Sequence, residues 1–399
     1  MRPTTQTVAA GRPAGSAALL RLIRSGQATS RTEIAKEVGM SPSTVSARID
    51  HLIALGFVRE DGLGESRGGR RPRRLSIRPD AGVVGCADLG IDRVSVGLVD
   101  FSGSLIAERH VPLDLAAGPE VVLASVSALW TEMLAGVTLP DGTTLQGVSV
   151  AVPGPVSSRT GRIVSPARMP GWNGVDVPAI LGRLTGLPAI VNNDANMMAV
   201  AEYAADPGHA PNQVVVKADS GIGCGVISAG DLYTGSYGTA GDISHVSVPG
   251  AAPVPCSCGR TGCLDALASG LALVRAMRES GAATAGVAAV IALARDADPL
   301  AVRLLREAGV MTGSVLATIV NFFNPDRLVL GGELSQSEVF VAGVRSALYA
   351  ECLPMSTENL EVAVARLPTS GGLIGAGKVA LDDLLFRDHD PVTPPVRHA

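Results

Sequence analysis

A glycine- and cysteine-rich loop, residues 241–265, constrains the fold of this chain more than any other segment. It places His245, Cys256, Cys258 and Cys263 in the spacing H-x10-C-x-C-x4-C, with glycines at the turns. One imidazole and three thiolates complete a tetrahedral zinc set, and a set with no open position is structural. The alternative interpretations are that the cysteines are separately buried apolar residues or that they form disulfides. Burial alone is disfavoured because the cysteines are clustered, and Cys256 and Cys258 are too close in sequence to pair comfortably. We therefore predict structural Zn2+ at these four residues.

The charge is divided unevenly along the chain. The first 80 residues hold 14 basic and 7 acidic side chains, whereas the remaining residues carry a net charge of −11. A basic module on an acidic body indicates that one end contacts a polyanion.

No signal-peptide pattern and no apolar run of membrane-spanning length is found. Six cysteines fit a reducing compartment. The expectation is a cytoplasmic protein with no membrane partner.

The first 80 residues have the pattern of a winged helix-turn-helix domain. Three helices are predicted from apolar spacing, followed by two strands around an arginine-rich tip. Ser41 caps the third helix, and Val45, Ile49 and Leu52 point inward. Its small polar residues can enter a major groove, and the tip can contact phosphates or a minor groove, although an isolated basic run is more often a solvated linker. The predicted DNA-binding residues are Ser43, Thr44, Ser46, Arg48, Arg67, Arg70, Arg71 and Arg73.

The rest of the chain contains a duplicated pattern. Residues 83–100 and 213–230 each run from an apolar strand through Asp-x-Gly into a second apolar strand, with Asp88 and Asp219 in matching places. Such doubling resembles the actin/hexokinase arrangement, in which a cleft separates two α/β lobes. By itself the doubling is a weak signal, because many α/β folds show it.

Longer motifs resemble the ROK family, which groups bacterial sugar kinases with sugar-responsive repressors. They are the zinc loop, Asn-Asn-Asp-Ala-Asn at 192–196, the paired glycines at 331–332, the glycine-rich 371–377 and Gly-Gly-Arg-Arg-Pro at 68–72. The resemblance implies an α+β winged helix-turn-helix domain followed by a two-lobed α/β actin/hexokinase-like ROK domain with a structural zinc loop. The expected divisions are residues 1–80 for the winged helix, 81–200 and 201–382 for the two lobes, and 383–399 for a flexible tail.

The same resemblance implies a sugar site. Asp194 matches the kinase base and Asn193 a sugar-contacting asparagine, and His245 can contact a sugar hydroxyl while its other nitrogen holds zinc. Two family glutamates are replaced by aspartate, at Asp242 and Asp265, which indicates a shifted ligand. The predicted sugar-binding residues are Asn193, Asp194, Asp242, His245 and Asp265.

Two phosphate loops depart from the kinase pattern. Ile91 and Asp92 stand where the kinase pattern has a glycine and a threonine, Arg93 replaces its lysine, and Asp219 replaces a glycine of the second loop. Carboxylates beside a triphosphate oppose ATP binding. No catalytic residue is therefore expected, and Asp194 is expected to act only as a sugar contact.

The combined prediction is a transcriptional regulator of carbohydrate genes, most simply a repressor. Its expected partners are a double-stranded DNA operator, with which it associates in the nucleoid, a sugar or sugar phosphate, and further copies of itself in a homodimer or homotetramer. A sugar kinase with an appended DNA-binding domain, and a regulator that has lost sugar binding, are the alternatives.

Overall fold

The computed structural model of the protein describes residues 16–63, 73–91, 93–139, 143–206, 208 and 210–386. The helices are α1 Ser16–Ser25, α2 Arg31–Val38, α3 Pro42–Ala54, α4 Pro119–Gly136, α5 Val177–Thr185, α6 Asp194–Ala205, α7 Leu264–Ala268, α8 Gly270–Glu279, α9 Val287–Arg295, α10 Pro299–Phe323, α11 Glu338–Glu351, α12 Pro354–Thr357 and α13 Gly371–Phe386. The strands are β1 Val58–Leu63, β2 Arg73–Ile77, β3 Val83–Leu89, β4 Arg93–Asp100, β5 Leu105–Pro112, β6 Leu145–Val152, β7 Ala189–Asn193, β8 Gln213–Ala218, β9 Ile222–Ser228, β10 Asp231–Leu232, β11 Arg327–Gly331 and β12 Glu361–Val364.

The N-terminal helices and the β1–β2 hairpin confirm the predicted winged helix. Val45, Ile49 and Leu52 of α3 are buried together, and the backbone N–H of Thr44 donates to the side chain of Ser41, as predicted for its cap. Helix α2 begins at Arg31, because Ser30 caps it in a reciprocal box with Glu33. Strands β1 and β2 pair antiparallel.

Two five-stranded sheets confirm the predicted duplication. The first has the order β5-β4-β3-β6-β7 and the second β10-β9-β8-β11-β12. In each sheet the central strand, β3 or β8, pairs antiparallel with the strand that follows it and parallel with a strand that returns after a helix. The repeated topology places Asp88 and Asp219 close to the carboxyl ends of the two central strands, β3 and β8.

The last helix, α13, packs against the first sheet although it follows the second sheet in the chain. It contacts β3, β6 and α6, and its far end contacts α1 of the winged helix. There Nη1 of Arg24 lies 2.5 Å from Oδ1 of Asp382. The helix continues to Phe386, so residues 383–386 are helical rather than part of the predicted tail, and residues 387–399 lie outside the described residues. Helix α13 therefore packs against the first sheet, although the predicted division placed its residues in the second lobe.

Helix α13 approaches α6 closely at Gly375, where there is no room for a side chain. A Cβ at this position would lie 1.8 Å from the carbonyl oxygen of Met197, which is backbone and cannot rotate away. We expect Gly375→Ala to cost about 3 kcal/mol by overpacking, and to lower the melting temperature by about 5–10 °C. Gly136→Ala, where a Cβ would meet nothing within 4 Å, is the matched control and should change stability little. Equal melting temperatures for the two variants would contradict this packing.

In the part of the chain that the structure describes, no helix combines the length and the apolar character needed to span a membrane.

Candidate functional site

The loop after β10 brings the four predicted metal ligands together. The donor atoms of His245, Cys256, Cys258 and Cys263 all lie within 4.8 Å of one another. The backbone N–H of Gly259 donates to the carbonyl of Cys256, which closes a tight turn, and Gly259 has a φ of +86° that favours glycine. The sequence spacing therefore folds into a convergent donor set.

Two distances within this set can be compared with those of a tetrahedral zinc site. Sγ of Cys258 lies 3.7 Å from Sγ of Cys263, and Nδ1 of His245 lies 3.5 Å from Sγ of Cys256. With Zn–S bonds of about 2.3 Å and a Zn–N bond of about 2.0–2.1 Å, a tetrahedron has edges of about 3.8 Å and 3.5 Å. The backbone N–H of Arg260 also lowers the pKa of the Cys258 thiol to about 7, which favours the thiolate that binds metal.

A cavity between the two lobes lies beside this cluster. Asn193, Asp194, Asp242, His245 and Asp265 all line it, so the structure brings every predicted sugar-binding residue to one place. The backbone N–H of Asp265 donates to the carbonyl of Ser244, the neighbour of His245, at 2.9 Å. The metal loop and the cavity wall are therefore built from the same short segments.

Lys217, which the sequence analysis did not identify, crosses from the second lobe to the first. Its Nζ lies 2.8 Å from Oδ2 of Asp194 and 3.5 Å from Oδ2 of Asp88. All three side chains are between 12% and 14% exposed. A kinase base must accept a proton from its substrate, whereas the carboxylate of Asp194 already accepts a charged hydrogen bond. The only sequence signal for Lys217 was that a single lysine interrupts the apolar strand β8.

Burial and neighbouring charges shift the pKa values of Lys217 and Asp88, so the charge of this cluster depends on pH. Burial opposes the ammonium of Lys217, but Asp194, Asp88 and Asp219 raise its pKa above the usual value. Burial raises the pKa of Asp88 to about 6; Lys217 opposes this rise, while Asp194 and Asp219 add to it. Within the described residues, Oδ1 of Asp88 is buried without a hydrogen-bond partner. Asp88 therefore accepts a proton more readily than an exposed aspartate.

Arg168 makes a second bridge across the cleft, in the opposite direction. It comes from the loop after β6 and forms a salt bridge with Asp265 at the start of α7, and its Nη1 donates to the carbonyl of Ser220 at 2.9 Å. The other oxygen of Asp265 accepts from the backbone N–H of Ile222 at 3.2 Å. Asp265 thus has protein partners for both carboxylate oxygens, and a sugar hydroxyl would have to share or displace them.

Two further predicted cleft residues, Asn193 and Arg93, also have partners within the protein. The side chain of Asn193 caps α6 by accepting from Ala195 and Asn196, and its Nδ2 donates to the carbonyl of Gly154. Arg93, at the position of the kinase lysine, forms a salt bridge with Glu333 of the second lobe at 2.8 Å. Asp92 lies outside the described residues.

The predicted DNA-binding residues fall into two groups. Ser43 and Thr44 lie at the exposed start of α3, where each hydroxyl is within hydrogen-bond distance of Oγ of Ser41. Further along α3, Ser46 accepts from Arg31, and Arg48 contacts the sulfur of Met40. At the base of the wing, Arg73 forms a salt bridge with Glu60. Arg67, Arg70 and Arg71 lie outside the described residues.

A winged helix joined to a two-lobed body with a Cys/His cluster at its cleft defines a DNA-binding relative of the sugar kinases. The ROK family model matches residues 84–383, three quarters of the chain, and a winged helix-turn-helix DNA-binding model matches residues 18–59. The chain belongs to the ROK family.

Individual relatives include both regulators and kinases. The chain is 27% identical to the xylose repressor of Caldicellulosiruptor bescii over 92% of its length and 95% of the relative. A solved ROK family transcriptional regulator, a homologue of the E. coli MLC protein, has the same fold, with a TM-score of 0.74, 23% identity, and coverage of 93% of this chain and 96% of the other. A Streptomyces griseus ROK glucokinase in complex with glucose and AMPPNP matches at a TM-score of 0.64 and 25% identity, covering 75% of this chain and 99% of the kinase.

Proposed function

We propose that this protein is a sugar-responsive transcriptional repressor without kinase activity. The observation that carries the proposal is the salt bridge between Lys217 and Asp194, because it occupies the carboxylate at the kinase-base position. The winged helix supplies an operator-binding module, and full-length similarity to a xylose repressor supports the same function. The four Cys/His ligands hold Zn2+ in a structural role, since all four tetrahedral positions are filled by protein.

The charge of the cavity favours a neutral sugar over a sugar phosphate. Four aspartates line it, and both of its cations, Lys217 and Arg168, already have carboxylate partners. An added phosphate would meet a net negative surface at low dielectric. Xylose is the first sugar to test, because a full-length relative bears the name xylose repressor.

A thermal-shift screen of the zinc-loaded protein tests the ligand. At a hundredfold excess over its Kd, a bound sugar stabilises the native state by about 2.7 kcal/mol and should raise the melting temperature by about 5–10 °C. We expect xylose or a related neutral sugar to give this shift, whereas sugar phosphates and ATP with Mg2+ give none. The variant Asp242→Ala, which removes a cavity carboxylate, should lose the response. An ATP response, or sugar-dependent ADP formation, would contradict the repressor without kinase activity.

The salt bridges that Asp194 and Asp265 form with cations of the protein also favour a second candidate, a regulator whose cleft no longer binds sugar. Both acids have internal cationic partners, so the charges of these two residues are compensated without a ligand. Selection of an operator by the zinc-loaded protein together with no shift from any sugar would favour this candidate.

Binding to palindromic half-sites requires two winged helices, so the proposal includes a homodimer or homotetramer. Sedimentation of the protein with and without its selected operator measures this directly, and a monomer on DNA would contradict it.

A further inference from the structure

Arg31, at the first position of α2, connects three elements of the winged helix. Its Nη1 donates to Oγ of Ser46 at 2.7 Å, and its Nη2 donates to Oδ1 of Asp50 at 2.7 Å. The same Nη2 donates to Oε1 of Glu60 on β1 at 2.9 Å. Ser46 and Asp50 are one turn apart on α3, so a single guanidinium joins α2, α3 and the wing hairpin.

The contact extends along the wing. The second oxygen of Glu60 accepts from Arg73 on β2, which produces an alternating row of charges, Asp50, Arg31, Glu60 and Arg73. Arg73 and Arg31 hold the pKa of Glu60 below its usual value, so this carboxylate is charged at neutral pH. Two fixed negative charges therefore lie on or beside the predicted DNA-binding face, where unpaired carboxylates would repel phosphates.

Arg31 is poorly placed to act as a phosphate contact itself. Its side chain is 29% exposed, and both terminal nitrogens already donate to protein oxygens. An isolated surface ion pair contributes little, but a planar guanidinium that bonds three partners fixes their relative geometry. The hydroxyl of Ser46, itself a predicted DNA contact, is oriented by this hydrogen bond.

We propose that Arg31 is a positioning residue for DNA recognition: it fixes α3 against the base of the wing and neutralises Asp50 and Glu60, so that this face can approach the DNA backbone. The proposal rests on the proposed DNA-binding function. Arg31 acts through its neighbours, so its loss should weaken binding without removing a phosphate contact.

The test uses a duplex that the zinc-loaded, full-length protein selects from a random pool, with affinity measured at several salt concentrations. We expect Arg31→Ala to weaken binding about tenfold or more while the slope of log K against log salt is unchanged. Arg31→Lys should recover only part of the loss, because it keeps the charge but not the planar fork. Combining Arg31→Ala with Asp50→Asn should recover only part of it, because the carboxylate left unpaired on α3 is then gone but α3 is still not fixed to the wing, whereas Glu60 keeps its partner Arg73.

Arg59→Ala is the matched control, since Arg59 pairs with Asp61 on β1 and does not join two helices; it should change affinity less than twofold. A slope that falls by about 0.9 in Arg31→Ala would identify a direct phosphate contact and overturn the proposal. Wild-type affinity in Arg31→Ala, or full recovery by Arg31→Lys, would also overturn it. If the wild-type protein selects no duplex, the proposed DNA-binding function itself fails. If it selects a duplex that Arg31→Ala binds with wild-type affinity, only the proposed role of Arg31 fails.

Discussion

The Cys258→Ser variant is expected to lose most of its bound zinc and to melt about 10 °C lower than the wild type. Cys258 supplies one of four convergent ligands, and structural zinc contributes its binding free energy to folding. The loop that the metal would organise also positions His245 and Asp265 in the cavity wall. Loss of zinc should therefore also abolish the thermal shift produced by a sugar.

Zinc content by mass spectrometry and melting temperature by calorimetry measure these effects. Cys352→Ser is the matched control, because Cys352 is a partly buried cysteine outside the cluster, with Sγ 3.8 Å from the carbonyl of Ala317. It should retain one zinc per chain and its sugar response. A Cys258→Ser protein that keeps its full zinc content would show that the four residues do not form the metal site.

Lys217→Met is expected to have the second large effect. The substitution keeps the volume of the side chain but leaves Asp88, Asp194 and Asp219 without the ammonium among them. Removing one partner of a buried ion pair costs about 3–5 kcal/mol, because a charge remains buried without compensation. At pH 8 we expect the melting temperature to fall by about 10 °C.

The size of this loss should depend on pH in a defined direction. The pKa of Asp88 is about 6 in the folded protein and 3.8 in an unperturbed aspartate, so the folded state binds the extra proton between these values. This group's contribution therefore makes the protein less stable as pH rises through that window. Lys217 lowers the pKa of Asp88, so its removal should move the upper edge of the window to higher pH, and the variant should regain stability on acidification to pH 5.

Two controls separate charge from packing. Burial lowers the pKa of Lys378 on α13, so Lys378→Met removes a charge that the fold disfavours and should change stability by less than about 1 kcal/mol. Adding Asp194→Asn to Lys217→Met should recover part of the loss. If Lys217→Met melts at the wild-type temperature at pH 8, the ion cluster does not stabilise the folded protein.

Local patterns in the sequence were sufficient for several features because each depends on neighbouring residues. Helical spacing correctly placed Val45, Ile49 and Leu52 of α3 in the core. The donor spacing of the zinc loop predicted a cluster that the structure forms, because a short loop with glycines at its turns brings its own ends together. The repeated strand pattern, together with the longer motifs that resemble the ROK family, predicted two lobes of one topology, which the sheets confirm.

The partners of the cleft residues were not predictable in this way, because they come from distant parts of the chain. Asp265 matched a sugar ligand by motif, but Arg168, 97 residues earlier, pairs with it. Asp194 matched a kinase base, but Lys217 reaches it across the cleft from β8. A carboxylate at a motif position has the same sequence signature whether or not a cation from another lobe neutralises it.

The sequence by itself therefore determined the winged helix and the convergent Cys/His ligands, which follow from short-range periodicity and spacing, and it indicated the two lobes through motifs that resemble the ROK family. Only the tertiary structure showed that α13 returns to the first sheet and reaches α1, and that Arg31 joins α3 to the wing. The physical reason is that packing and ion pairing depend on which surfaces meet after the chain has folded. Residue patterns along a single segment do not specify which distant segments come into contact.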